Sequence, residues 1–459
     1  MTRAREQIMV AFEGDGAGEG ELSWGQKENW ATITALASWL PLGGVTALPE
    51  GMTVETILGT LRYAMSRYPS LRTRLRLDAD RPIQVVHASG QLPLDVVDAG
   101  DDDPAEVAEA VCKRYRDTGL DFTAEWPVRM ATILHRGRPT HMAAMISHLA
   151  ADAAGLGVML REMAAQDAAP VDGLAPLSQA QWQRSPAGRR HGAAAMRYWE
   201  EVFRSIDPDR FHNPGAADQP RYWHGEFDSW ALLPPVRELA AASGSGTSTV
   251  LMTLLAVGLH QVNGINPVVI RPIVGNRFRP GLADVVCTVA QAGICVLDVA
   301  DVPFGEALQR VQRSVMKGYK YAYFDHEDMV ALRTHVERER GVELDTGLFI
   351  NDRHDVSAAA RAVQSAGAPP RDSADGPPPS ALRWLRGHDD PPHDKLFVEV
   401  DDIPGGLRIS FHVDSAAISR ADAEKMVRRM DEIATAAAAE LAPASSGTVS
   451  SSTAQPDPV

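Results

Sequence analysis

Cysteine is scarce in this chain of 459 residues. Cys112, Cys287 and Cys295 have no zinc-ligand spacing, and an odd, sparse count gives no disulfide framework. That usage suits a reducing compartment, and the apolar surroundings of Cys287 and Cys295 mark small core residues rather than nucleophiles. The 14 histidines are scattered, and no pair at ligand spacing has a third partner, so no metal site is expected. No run of about 18 apolar residues occurs, so no membrane-spanning helix is expected. Residues 1–10 lack an apolar stretch of signal-peptide length, and the chain is expected to be soluble and cytoplasmic. Positive charge is also in deficit. The formal net charge of −15 argues against a nucleic-acid partner. No Gly-rich phosphate loop follows a strand.

The length exceeds one ordinary core and suits two domains, placed at 1–175 and 176–440 with a disordered tail at 441–459. In the first half, strands are expected at 8–12, 82–88, 128–135 and 140–146. Helices are expected at 26–37, 54–67, 105–116 and 152–165, with a Gly/Glu-rich loop at 14–21. A connection opens at 168–176. The second half predicts helices at 193–203, 235–242, 247–262, 304–320, 326–341 and 420–438. Strands are expected at 267–274, 293–299, 344–350, 396–400 and 407–413. Residues 358–380 are rich in Ala, Pro, Ser and Asp and are expected to be a mobile loop. The alternation predicts an α/β fold with a sheet backed by helices in each half, and chemistry in a cleft.

The most informative stretch is Met145-Ile146-Ser147-His148-Leu149-Ala150-Ala151-Asp152-Ala153-Ala154-Gly155. An apolar strand ends at an imidazole, and four residues on an Asp stands where a helix start favours an acidic cap. The same spacing at His224 and Asp228 lies in 222–230, which alternates like a half-exposed strand, and is read as coincidence. The first site leaves two readings of equal weight. One is a working imidazole whose surroundings a carboxylate fixes. The other is a core histidine beside a helix cap.

Further segments, in order, carry a resemblance. Ser23-Trp24-Gly25-Gln26-Lys27-Glu28-Asn29-Trp30 is similar to SxAQxRLW, keeping the Ser, Gln and Trp. Arg67-Tyr68-Pro69-Ser70-Leu71-Arg72-Thr73-Arg74-Leu75 is similar to RHExLRTxF. Ser147–Ala153 stands where HHxxxDG is expected, Val274-Gly275-Asn276-Arg277 resembles a strand ending in Gly-Arg, and Phe349-Ile350-Asn351 a late segment ending in Asn. Residues 286–296 match GxFVNT poorly, with Gln291 at the Asn position. Together these resemble a nonribosomal-peptide-synthetase condensation domain along nearly the whole chain. Two departures stand out: Ser147 replaces the first His of the pair, and Ala153 replaces the Gly after Asp152.

The resemblance implies two chloramphenicol-acetyltransferase-like subdomains in a V-shaped pseudo-dimer, with the active-site channel between them. It implies acyl transfer in natural-product biosynthesis, from a thioester on a carrier protein's phosphopantetheine arm to an amine, or to a hydroxyl. No cofactor is expected to be bound permanently. His148 would take the nucleophile's proton or position the amine. Asp152 would support the site, with Arg277 as its implied partner and Ser147 and Ala153 shaping its surroundings. Gln291 and Asn351 are candidates for channel lining. Gln26, Trp30 and Arg72 read as structural, Arg72 as a cap on the helix ending near Tyr68. No adenylation or carrier domain fits in the length, so the carrier is expected in trans and the chain as a monomer. Arg184, Arg189 and Arg190 could contact an acidic carrier, or form a solvated cluster at a helix start. A CoA-dependent O-acyltransferase is the second enzymatic reading, although the plant-type DFGWG motif is missing. A catalytically silent docking platform is the third.

Overall fold

The structure is a computed structural model that describes residues 5–78, 81–166, 169, 173–211, 217–354, 378–389 and 394–441. Nearly all of the loop expected at 358–380, and the tail beyond Leu441, lie outside the described residues. The chain folds into two compact α/β units that interleave in sequence. The first comprises Met1–Asp209, Val269–Cys295 and Met316–Ser373, and the second Arg210–Val268, Val296–Val315 and Ala374–Val459.

The first unit is built on a five-stranded sheet, in the order Arg5–Glu13, Ser89–Asp98, Val128–His135, Arg138–Ser147, Pro41–Ala47. Strand alternation sorts its side chains into two cores. Val10, Leu92, Leu94, Val128 and Ile146 face one way, with Ile57, Leu61 and Met65 of helix Val54–Arg67 and Leu156 and Met159 of helix Ala153–Ala165. Val97, Ala131, Ile133, Ala143 and Met145 face the other way, toward Val111, Cys112 and Tyr115 of helix Pro104–Asp117. A three-stranded antiparallel sheet joins Gly18–Glu21, Arg81–Val86 and Thr73–Asp78. In the later segments of this unit, Val268–Val274 runs parallel to Leu348–Asp352 and antiparallel to Gln291–Ala292.

The second unit holds the antiparallel strands Ala381–His388, Tyr222–Ser229, Gly406–Asp414 and Leu396–Ile403 in spatial order. Helices Leu233–Ser243, Thr247–Asn263 and Arg420–Leu441 pack together in this unit, burying Leu254, Leu255, Met426 and Met430. Among the described residues no single helix is long and apolar enough to cross a membrane.

Several strands went unforeseen. Pro41–Ala47, which the sequence left unassigned, carries a Pro and two Gly yet pairs along Arg138–Ser147. Gly43, at φ 129°, sits where a Cβ would come within 2.1 Å of the Ala144 carbonyl oxygen, so only glycine lets the edge strand approach. Thr73–Asp78, Ser89–Asp98 and Ala381–His388 were also missed, as was helix Pro176–Arg184. Part of the loop expected at 14–21 is instead the strand Gly18–Glu21, paired with Arg81–Val86. Hydrogen bonding to a partner outweighed glycine's weak strand preference there.

Candidate functional site

The strand ends at Ser147 and not at His148. Ser147 is fully buried; its Oγ donates to the Trp39 carbonyl at 2.9 Å and accepts from the Leu149 N–H at 3.2 Å. The backbone then turns through His148, Leu149 and Ala150, held by the His148 N–H donating to the Leu40 carbonyl at 2.9 Å. His148 is half-buried, and its Nδ1 is a buried atom with no hydrogen-bond partner among the described residues. Burial lowers the imidazole's proton affinity below its ordinary value, and the nearby Asp152 charge only partly opposes this. The ring is therefore a neutral base near pH 7, with an unengaged nitrogen.

Asp152 does not hydrogen-bond to that ring. It is the N-cap of helix Ala153–Ala165, and its Oδ1 accepts from the Gly155 N–H at 2.7 Å. The same oxygen takes Nη2 of Arg277 at 2.5 Å, while Oδ2 takes the N–H groups of Val289 and Ala290 at 3.0 and 3.1 Å. Four donors thus saturate one buried carboxylate. Ala153 opens the helix in a half-buried position.

Arg277 extends the clamp. Its Nη1 donates to the carbonyls of Leu282, Ala283 and Val285, so the guanidinium is the centre about which residues 282–287 wrap. Leu282, Val285, Cys287 and Val289 of that segment bury against Trp24 and Tyr323. Thr288 then donates its Oγ1 to the His148 carbonyl. The turn that carries the imidazole and the segment that carries Asp152's donors are joined at two points.

Gln291 is buried and gives both ends of its amide to Phe324, donating to its carbonyl at 3.0 Å and accepting from its N–H at 3.3 Å. Asn351 is half-buried on Leu348–Asp352 and is not hydrogen-bonded to His148 or Asp152. Gln26 closes a reciprocal capping box with Ser23 at the start of helix Trp24–Leu36. Trp30 is half-buried, edge-on to Phe122 at 5.6 Å. Arg72 is not a helix cap. It is fully buried and donates to the carbonyls of Gly14, Asp15 and His87, tying the first strand's exit to the small sheet. Arg184, Arg189 and Arg190 are exposed.

Sequence reasoning missed three contributors. A Cβ on Gly155 would meet Arg277 Nη2 at 3.0 Å, the Cys287 carbonyl oxygen at 3.1 Å and Asp152 Oδ1 at 3.2 Å, so a bare backbone is what admits the ion pair. A Cβ on Gly25 would come within 2.6 Å of the Thr288 carbonyl oxygen. Both glycines lie inside helices, where their low propensity signals a packing reason. Thr288 itself gave no signal. Among the described residues no group of three or more His, Cys, Asp or Glu could hold a metal.

The site is thus a histidine on the turn between strand Arg138–Ser147 and helix Ala153–Ala165, four residues before an arginine-clamped aspartate. The condensation-domain family model matches residues 43–370, and the chain belongs to that family. It is 27% identical over 310 residues to chondramide synthase of Chondromyces crocatus, covering 62% of this chain and 8% of that protein. Against the phosphinothricin tripeptide synthetase PhsC of Streptomyces viridochromogenes it is 25% identical over 325 residues, covering 66% of this chain and 30% of the other. The chain thus spans well under half the length of these relatives. Its fold matches that of the condensation domain for chain release from the enacyloxin polyketide synthase. The TM-score is 0.68 at 18% identity, over 94% of this chain and 85% of that one. That match carries the expected mixed α/β fold class.

Proposed function

We propose that this domain joins a carrier-protein-bound acyl or aminoacyl thioester to an amine, forming an amide, with His148 as the general base or positioning group. The observation that carries the reading is the His148 ring: half-buried on the turn that follows strand Arg138–Ser147, with its proton affinity lowered by burial and not hydrogen-bonded to Asp152, whose oxygens are both committed elsewhere. An imidazole held neutral can accept the proton that an ammonium-forming nucleophile must lose. The thioester carries its own activation, so the domain's task is to hold donor and acceptor at near-attack distance. Well-oriented intramolecular models put such positioning at roughly 7–11 kcal/mol.

Asp152 and Arg277 act in this reading as positioning residues, holding the segment through Thr288 against the His148 turn. Ser147 and Ala153 favour a second reading, a silent docking platform, because they stand where the family has His and Gly. The test is intact-mass analysis after mixing the protein with acylated carrier proteins, acyl-CoA and a panel of amines and alcohols. Amide product from the carrier-bound donor supports the proposal. Transfer from acyl-CoA alone makes the domain a CoA-dependent acyltransferase, ester product with alcohols alone makes it ester-forming, and carrier binding without turnover makes it a platform.

A further inference from the structure

The five-stranded sheet of the first unit has a face that helix Pro104–Asp117 covers only in part. Gln7 and Met9 on one strand, and Gln91, Pro93 and Asp95 on its neighbour, point away from the core formed by Val10, Leu92 and Leu94. Together with Arg114 and Tyr115 of the helix, and with Arg74 and Trp126, they line a cavity of about 470 Å³. The sheet separates it from the helix that Asp152 caps, because Leu156 and Met159 of that helix pack on the opposite face.

The charges in this cavity do not cancel. Arg129 forms an ion pair with Glu125 and donates to the carbonyls of Thr118 and Gly119 at 2.7 and 2.6 Å. Asp95 accepts from Gln7 Nε2 at 2.9 Å and from the Tyr115 hydroxyl at 2.7 Å, and Arg114 reaches it at 3.8 Å. Arg74 differs from both arginines. Its guanidinium lies over the Trp126 ring at 3.7 Å, its Nε is buried, and it has neither a hydrogen bond nor a carboxylate among the described residues. Trp126 is itself held by its Nε1 donating to the Gln91 carbonyl at 2.8 Å, so the stacking platform is rigid. Burial lowers the proton affinity of this guanidinium, and no carboxylate opposes that.

Arg74 is half-buried, and its solvent-shielded Nε has no acceptor, an arrangement that an incoming anion would complete. We propose that this cavity is a second ligand site, binding a small organic anion whose carboxylate or phosphate head pairs with Arg74 and whose apolar body lies on Met9, Pro93 and Met130. Guanidinium geometry suits either head group. Arg114 adds a weaker cation at the rim, already shared with Asp95.

Isothermal titration of the full chain with hexanoate, hexyl phosphate and the neutral hexanamide tests this, using wild type, R74Q and R114Q. At least one anion is expected to bind saturably, and the tighter of the two identifies the head group. Hexanamide is expected to bind roughly tenfold or more weakly, as loss of a charge-assisted hydrogen bond implies. R74Q should lose a similar factor, and R114Q a smaller one. Absence of saturable binding by either anion overturns the site, as does equal binding of the amide or unchanged binding by R74Q. Should R74Q fail to fold, the amide comparison and R114Q still decide.

Discussion

Arg277 and Asp152 lie 125 positions apart in sequence and meet through Nη2 and Oδ1 at 2.5 Å, at a residue where the carboxylate is also a helix cap. The aspartate is 4% exposed and the arginine 15%, so neither charge has water enough to stand alone. Removing one partner leaves the other buried and uncompensated. Arg277→Ala is expected to cost about 3–5 kcal/mol of unfolding free energy, well above the ~1 kcal/mol of an ordinary cap. Denaturant unfolding of the single and double variants with Asp152→Ala measures it. Additive losses would show that the two residues act independently.

Gly155→Ala should damage the same clamp without touching a charge. Its methyl group would crowd Arg277 Nη2, the Cys287 carbonyl and Asp152 Oδ1 together, all within 3.2 Å. Overpacking of this kind costs about 1–3 kcal/mol. Alanine has the higher helix propensity, so a stabilised variant would mean that the clamp yields freely. A melting curve decides by its sign.

His148 sets a pH dependence. Burial depresses its proton affinity in the folded state, while the unfolded chain keeps the ordinary value near ~6.5. The unfolded state therefore binds the proton first. This residue's contribution is fully present above about pH 6.5 and is lost as pH falls through the folded value. The difference in unfolding free energy between wild type and His148→Ala should shift against wild type between neutral and acid pH. A difference that does not move with pH contradicts the neutral, buried ring.

The three thiols should be silent in the native state. Burial pushes Cys112 up to about 11 and Cys287 and Cys295 up to about 12, which leaves almost no thiolate at neutral pH. A disulfide reagent should label none of them in the folded protein and all three after denaturation. Rapid native labelling of Cys287 would mean that the segment Arg277 wraps is open in solution.

The site was legible where its chemistry is local. Asp152 could be read as a cap because a helix start needs a short acceptor at that position, and the helix does begin at Ala153. Periodicity located helices Val54–Arg67 and His326–Arg340 because each shows one face to a core, and the strand Val128–His135 was legible as an apolar run that both cores bury. The strand Pro41–Ala47 escaped because its strand character comes from Arg138–Ser147 beside it and not from its own residues. Thr288 escaped for a related reason. Nothing within a few residues of it announces a carbonyl 140 positions away. Arg72 was recognised as structural but assigned to the wrong contacts, since its acceptors lie on two other segments.

The most direct test is a single-turnover measurement of amide formation from an acylated carrier protein, followed by intact mass, with wild type, His148→Ala and a folded-state check on both. The account predicts product from wild type and a loss of roughly 10²–10⁴-fold in the variant, the range general acid–base groups supply, at unchanged secondary structure. Equal rates for the two proteins would contradict the central role given to His148.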